Sequence, residues 1–377
     1  MHGSTTQLTP DGHLTTFGGA ADSIRVSVIV RSTHRPSLVA ALESIAAQDY
    51  PALQVIVVGA SGPDHPVPAD HAGQHPVRFV ASASPLSRPL AANAGMNAAE
   101  GDWISFLDDD DVLLPGHISG LVAAQRNAKH ALFVYTLAVA RMAGGRNESW
   151  GQPFAPRQLY ERNFIHLAAA LFSRELPARG CRFDQTFEIM EDWDFFLQCA
   201  QHTVFHFEPR QTFEWRADSG SSGAGGGANH DDVRFARFRD RIYMKWAQSR
   251  DALIDRVGAA LQDAVAGARS GEHDRAEADC RAILTYSAND PDVLNFLALV
   301  QRSAGRCGEA RETQELACSV RPGDPALIYN LAVLCRMQGD LDRARAHCQR
   351  AMQARPRFAP ARKLLAELQG AARTESQ

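Results

Sequence analysis

The sequence predicts an α/β layered unit in its N-terminal part, followed by an all-α helical repeat unit. Three observations carry this expectation. Short β-branched runs alternate with amphipathic segments from Val26 onward, the pattern of strands and crossover helices in a layered α/β sheet. A stretch of Ser, Gly and Ala at residues 218–229 then interrupts the chain. Beyond it, small residues return at a fixed spacing of 34 positions, which marks stacked helical hairpins.

The elements follow in order. Residues 1–22 are polar and Gly/Thr-rich and read as a flexible lead-in without a signal peptide. Val26–Val30 and Gln54–Val58 are expected strands, with a helix over Leu38–Ile45 between them. Val77–Val80 and Trp103–Leu107 are the third and fourth strands. Between the second and third, Ser61–Pro76 carries four prolines together with His65, His71 and His75. The prolines and irregular spacing favour a mobile surface loop over a three-His metal site. The stretch 218–229 has two readings, a linker or a lid whose glycines absorb the dihedral changes of closure. A helix over Asp231–Ser249 places Phe235, Phe238, Ile242 and Trp246 at helical spacing and is expected to pack the two units together.

The same 34-residue offset links Ala298 to Ala332, Gly305 to Gly339, Ala310 to Ala344, Ala317 to Ala351 and Pro322 to Pro356. Ala264, Gly271 and Ala276 begin the series one period earlier. The pattern resembles the tetratricopeptide repeat (TPR): small residues where two helices cross closely, and Pro after the second helix. It covers about three repeats, Leu253–Arg357, with a closing helix near Pro360–Leu368 to cap the last exposed face. The expected organisation is a lead-in at 1–22, an α/β unit at 23–250 and repeats at 253–370.

Composition narrows the function. The chain has 377 residues, 45% of them hydrophobic, enough for two or three cores. A formal net charge of −4 gives no basis for nucleic acid or an anionic membrane as the main partner. The longest apolar run, near Ala131–Ala140, is far short of the roughly 20 residues a spanning helix needs. Five of the seven Cys (Cys280, Cys307, Cys318, Cys335, Cys348) lie among the repeats and read as small buried hydrophobes in a reducing compartment. A cytoplasmic location is expected. No phosphate-binding Walker loop, zinc-protease or hydrolase-elbow motif occurs.

The chemistry centres on Asp108-Asp109-Asp110-Asp111, directly after the fourth strand. Four adjacent carboxylates are tolerable in water or around a cation. Mg²⁺ or Mn²⁺ takes oxygen ligands and recruits phosphates to complete its shell. The run is therefore either a solvated acidic turn or a platform for a metal–diphosphate. An EF-hand is excluded, because the sixth position holds Leu113 where that loop needs Gly.

Upstream, residues 93–101 form the pattern Asn-x-Gly-x-Asn-x-Ala-x-Gly. The opening strand and turn Val26–Pro36, the helix from Leu38, Gln48-Asp49-Tyr50-Pro51 and the second strand precede it. In this order, from about Ser23 to Ser219, the chain resembles glycosyltransferase family 2, the inverting sugar-nucleotide transferases of GT-A (Rossmann-like nucleotide-diphospho-sugar transferase) fold. The resemblance implies a sugar-nucleotide donor and a divalent metal. Asp108 and Asp110 match the family's Asp-x-Asp motif, with Asp110 as metal ligand and Asp108 on the metal, a metal-bound water or the ribose. Glu191-Asp192-Trp193-Asp194 looks like the family's Glu-Asp motif, with Asp192 as general base beside Glu191. On its residues alone that run also reads as an acidic helix N-terminus. Thr33, Arg35, Arg88 and Asn93 are candidates for holding the nucleotide. Arg216, in the aromatic-Arg-x-x-x-Ser tail from Trp215, is a candidate for the diphosphate or for pairing a core carboxylate.

One departure stands out. Many family members carry Asp-Asp-Gly-Ser after the second strand, whereas this chain has Gly59-Ala60-Ser61-Gly62. Base recognition is therefore altered: it falls to backbone groups, to Asp64, or is lost. The function expected is metal-dependent, inverting sugar transfer to an acceptor hydroxyl, with the repeats docking a protein acceptor. Two competing readings are transfer to a lipid-linked or surface polysaccharide with the repeats recruiting an assembly complex, and a non-catalytic scaffold built on a degenerate transferase domain.

Overall fold

The computed structural model describes residues 6–8, 14–16, 24–141, 147–216 and 231–374. A two-stranded antiparallel pair, β1 (Thr6–Leu8) and β2 (Leu14–Thr16), lies within the expected lead-in; the remainder of that lead-in is outside the described residues.

The main sheet has ten strands. Its first half comprises β3 (Val26–Ser32), α1 (Leu38–Ala46), β4 (Leu53–Gly59), β5 (His71–Ala72), β6 (His75–Val80), α2 (Arg88–Ala98) and β7 (Trp103–Asp108). The four expected strands are present and parallel, in the order β6-β4-β3-β7. β3 and β4 are buried along their whole length. A doubly covered strand has no solvent face to make polar, which is why both read as nearly unbroken Val/Ile runs. The chain winds outward from β3 to β4 and β6, then returns to lay β7 on the other side of β3. The crevice beyond the strand ends at such a reversal is where open α/β sheets hold ligands. There the parallel register sets Arg31 beside Asp108.

α2 closes tightly onto this sheet. A Cβ on Gly95 would lie 2.3 Å from Ile29 Cγ2, and one on Gly101 would lie 2.7 Å from the Ser27 amide nitrogen. The two glycines of the Asn-x-Gly pattern are thus packing requirements.

The second half is mixed and was not legible as strands in the sequence. It comprises β8 (Val112–Leu113), α3 (His117–Asn127), β9 (Phe133–Arg141), β10 (Asn147–Trp150), α4 (Pro156–Glu161), β11 (Ala170–Ser173), α5 (Glu175–Ala178), α6 (Glu191–Ala200) and β12 (His206–Arg216). β11 runs antiparallel between β7 and β9. β12 runs parallel to β9 and carries β8 on its outer edge. Stacked phenylalanines, among them Phe183 on Phe195 at 4.4 Å, fill the core between α6 and the sheet. This arrangement is the GT-A topology.

The stretch 218–229, linker or lid, lies outside the described residues. After it come α7 (Asp232–Lys245) and α8 (Ala247–Arg269). The single helix expected over 231–249 is broken at Trp246. Its indole N–H turns to Asp194 Oδ1 at 2.8 Å, beside Lys245 Nζ on Asp194 Oδ2 at 2.9 Å. Phe238 and Ile242 bury against the α/β core.

The remaining helices are α9 (His273–Tyr286), α10 (Pro291–Ser303), α11 (Cys307–Val320), α12 (Pro325–Met337), α13 (Leu341–Ala354) and α14 (Ala359–Thr374). They form tetratricopeptide-type hairpins. Gly271, Gly305 and Gly339 take φ of 81°, 81° and 79° at the helix–helix turns, a left-handed conformation that favours Gly. Ala264, Ala298, Ala332, Ala276, Ala310 and Ala344 are buried where helices cross. The repeats are pinned to α4: Arg157 Nη1 reaches buried Asp290 Oδ2 at 2.9 Å, and the Asn289 side chain donates to the Phe154 carbonyl at 2.9 Å. The seven cysteines are free thiols, all buried except half-buried Cys307. Among the described residues no helix is long and apolar enough to cross a membrane.

Replacing Gly95 by Ala should destabilise the protein by about 1–3 kcal/mol, the range for overpacking. Gly258→Ala in α8, where a Cβ meets nothing within 4 Å, should instead be neutral or stabilising by up to about 1 kcal/mol. Urea unfolding of the two variants checks the contrast.

Candidate active site

Arg31 is the penultimate residue of β3, a strand otherwise of valine, serine and isoleucine, yet is only 8% exposed. A guanidinium buried this far needs charged partners. Its Nε and Nη2 grip Asp108 Oδ1 and Oδ2 at 2.7 and 2.9 Å, a two-pronged fork. Its Nη1 reaches Glu191 Oε1 at 3.0 Å. Arg88, the first residue of α2, adds Nη2 to Asp108 Oδ2 at 3.2 Å and Nε to Glu191 Oε1 at 3.4 Å. Burial pushes the Asp108 carboxyl up, but Arg31 and Arg88 more than reverse this and hold it well below the usual carboxylate range. Burial likewise opposes the charge on Arg31, and Asp108 and Glu191 outweigh it. Sequence reasoning missed Arg31. The signal was a lone arginine closing an apolar strand, but only the register set it opposite Asp108.

The four aspartates are not a solvated turn. Asp109 is fully buried: Oδ2 accepts from the Thr33 amide at 2.7 Å and Ser32 Oγ at 3.0 Å, and Oδ1 from Arg35 Nε at 2.6 Å. It thereby fixes the β3–α1 turn, in which His34 takes a φ of 63°. The fixed turn delivers Thr33 and Arg35 to the crevice, where Arg35 Nη1 meets Asp110 Oδ2 at 2.7 Å. Asp111 is buried beneath the run.

These groups line a cleft of about 420 Å³ with Arg31, Thr33, Arg35, Arg88, Asp108 and Asp110, closed on one side by the Glu188–Arg234 ion pair at 2.9 Å. Asn93 is set apart from it. Its amide donates to the Phe183 carbonyl at 2.8 Å and accepts from the Phe183 N–H at 3.1 Å. Asn93 thereby clamps the segment leading to α6, and it lines a separate depression with Arg182. Arg216 ends β12, and its side chain is outside the described residues.

Among the described residues, no three His, Cys, Asp or Glu side chains converge as a protein-built metal cage. Both Asp108 oxygens accept from arginines. Asp110 is 23% exposed at its side chain; Arg35 takes one oxygen, and no donor among the described residues takes the other. That donor set fits a cation held through one carboxylate, with phosphate oxygens completing its shell.

Glu191 and Asp192 open α6, preceded by Met190 at a φ of 61°. Adjacent in sequence, they meet different surroundings. Glu191 is buried and engaged by Arg31 and Arg88. Asp192 has neutral partners: Oδ2 accepts from Asn163 Nδ2 at 3.2 Å and Oδ1 from the Trp193 amide at 2.8 Å. Burial, reinforced by the Glu191 charge, lifts its carboxyl to about 6. Asp194 is structural, held by Lys245, Trp246 and Gln198. Near Asp108, burial lowers His166 to about 4, so its imidazole is neutral at physiological pH.

The altered position after β4 has a structural counterpart. A Cβ on Gly59 would lie 2.8 Å from Phe79 and 3.1 Å from His65. The space a side chain would occupy is filled by those rings, whose centroids are 5.4 Å apart. His65 is 5% exposed and His75 is 2% exposed, while most of Ser61–Pro76, His71 included, lies at the surface as its prolines suggested. The Pro66 carbonyl at 2.8 Å accepts from His65 Nδ1, and Nε2 lies 2.9 Å from Ser32 Oγ. The bare Gly59 backbone drew His65 inward.

Residues 27–177 match the family model described as Glycosyl transferase family 2. An uncharacterized glycosyltransferase of Haemophilus influenzae is 24% identical over 187 residues, 48% of this chain and 63% of that protein. The uncharacterized glycosyltransferase YwdF of Bacillus subtilis is 27% identical over 188 residues, 47% of this chain and 69% of that protein. The succinoglycan biosynthesis protein ExoO of Rhizobium meliloti is 27% identical over 182 residues, 44% of this chain and 52% of that protein. The chain thus spans less than two thirds of the length of the first of these relatives. With the GT-A topology and a cleft where the winding reverses, the match gives one conclusion: residues 27–177 are a glycosyl transferase family 2 domain.

Proposed function

We propose that this chain transfers a sugar from a nucleoside-diphosphate sugar to an acceptor hydroxyl, inverting the anomeric carbon, in a catalytic unit reaching from residue 23 to 250. The observation that carries the reading is Asp192, a carboxylate raised to about 6 beside an arginine-lined cleft. Arg35 and Arg88 meet the diphosphate, matching phosphate geometry with fixed forks of donors. Asp110 holds a divalent cation, Mn²⁺ or Mg²⁺, which when bound supplies Lewis-acid stabilisation of the departing diphosphate. Asp108 acts by holding Arg31 and Arg88 in place, and Thr33 presents its side chain to the nucleotide. Asp192 is ionised at neutral pH yet basic enough to take the acceptor proton. Glu191 raises that basicity and positions the arginines. A single displacement without a protein nucleophile inverts configuration.

The repeats, residues 253–370, dock a protein acceptor. What supports this is their attachment through Arg157 to α4, the element just ahead of the Asn163 that holds Asp192. A second reading, transfer to a lipid-linked or surface polysaccharide, is favoured by the name of the Rhizobium relative. Labelled sugar found in a protein band supports the first, and in an extractable lipid the second.

Asp192→Asn should lower kcat by about 10²–10⁴-fold, the usual contribution of a general base, with donor affinity by calorimetry little changed. Weakened donor binding with intact turnover would contradict the assignment. In the wild type, kcat should decline as pH falls through about 6, because protonation removes the base; a flat profile between roughly pH 5 and 7 counts against it. In thermal-shift assays with a panel of nucleoside diphosphates and Mn²⁺, one nucleotide should stabilise the wild type, and Asp110→Ala should lose the metal-dependent part. Stabilisation by no nucleotide would favour the scaffold reading.

A further inference from the structure

Between α4 and β11 the chain passes through Asn163-Phe164-Ile165-His166 without a helix or a strand. Side chains take over the backbone donors there. Asn163 Oδ1 accepts from the Ile165 amide at 3.0 Å, and His166 Nδ1 from the Ala168 amide at 3.2 Å. Short polar side chains offer a turning backbone this substitute for a ladder. Phe164 and Ile165 are 3% and 1% exposed and anchor the stretch in the core that α6 packs on. On the other side, the Arg162 amide closes α4 on the Gln158 carbonyl at 2.9 Å. Asn163 is thus held from both directions.

The Ile165 bond decides which way the Asn163 amide faces. Only its oxygen can accept that N–H, so the NH₂ group is the one turned to Asp192 Oδ2, 3.2 Å away. The Trp193 amide donates to Asp192 Oδ1 at 2.8 Å. Two neutral donors, one on each oxygen, fix the plane of the carboxylate and leave each oxygen a further lone pair. The charged groups that act on Asp192 lie on three elements: Glu191 on α6 raises its carboxyl, while Arg88 on α2 and Arg31 on β3 lower it. Asp194, farther along α6, is spent on Lys245 and Trp246. Arg162, next to Asn163, turns away to Gln152, and burial keeps His166 neutral. A lysine or arginine in place of Asn163 would bring a cation onto the carboxylate and pull it down.

We propose that Asn163 is a positioning residue: its fixed amide sets the plane of the Asp192 carboxylate for the acceptor hydroxyl and adds no charge in doing so. That Asp192 acts as a base rests on the transferase reading; the contact between the two side chains does not. Asparagine suits the task because one end of its amide is committed to the backbone of its own turn. The other end is then a rigid donor, which a longer or freely rotating side chain would not be.

The test compares Asn163→Asp and Asn163→Ala in the full chain. Aspartate has the shape of asparagine and can still accept from the Ile165 amide, so the turn is kept, while a like charge replaces the N–H facing Asp192. The Asp192 carboxyl, followed by NMR of ¹³C-labelled aspartate and assigned with Asp192→Asn, should then titrate about one unit or more higher than in the wild type. The acid limb of kcat should move up with it, so that activity lost near neutral pH returns in part at higher pH. Asn163→Ala, which frees the carboxylate to turn, should lower kcat by about 10–100-fold with KM for the donor little changed. Urea midpoints report the fold of each variant, and the Asn163→Ala kinetics stand by themselves if Asn163→Asp does not fold. Equal titration of Asp192 in wild type and Asn163→Asp, or an Asn163→Ala effect confined to KM, would overturn the assignment and leave the transferase reading in place. A shifted titration in a protein that transfers no sugar would keep the positioning and remove the transferase reading, so the two fail separately.

Discussion

The buried guanidinium of Arg31 is the constraint on which the site depends. It joins three elements distant in sequence: β3, which carries it; β7, which ends in Asp108; and α6, which begins at Glu191. Arg88 ties the start of α2 to the same two carboxylates. Losing one member of such a set leaves an uncompensated charge out of water, typically at a cost of about 3–5 kcal/mol. The network therefore stands or falls together, and it holds four element ends at one point beyond the sheet.

The same pairing distributes chemical roles among similar residues. Asp108 and Glu191 spend their charge on arginines, and Asp109 builds the turn that presents Thr33 and Arg35. Asp110 keeps an oxygen toward the cleft. Asp192, held by neutral donors and beside the charge of Glu191, keeps a raised carboxyl. Two runs of acidic residues thus divide into structural and chemically available members according to the partners each carboxylate meets in the fold.

The helical array is attached by a comparable device. Asp290 is both the N-cap of α10 and the buried partner of Arg157. One carboxylate ends a turn of the repeats and binds them to α4. Local capping and long-range attachment share a residue, which fixes the array where the connection to Asp192 begins.

By itself, the sequence determined the α/β and tetratricopeptide architecture, the four parallel strands and the 34-residue period. These are written in local patterns, since doubly buried strands read as apolar runs and close helix crossings demand Ala and Gly at fixed intervals. It also pointed to the Asp run, Glu191, Asp192, Arg35 and Arg88, because charged residues at strand and helix ends are visible in order. Only the tertiary structure decided what each carboxylate does, set Arg31 at the centre, turned Asn93 into a backbone clamp and drew His65 inward against Gly59. The mixed strands β8 to β12 were likewise beyond reach. Each depends on register between segments tens of residues apart, and register is fixed by burial of whole faces rather than by any local run of residues.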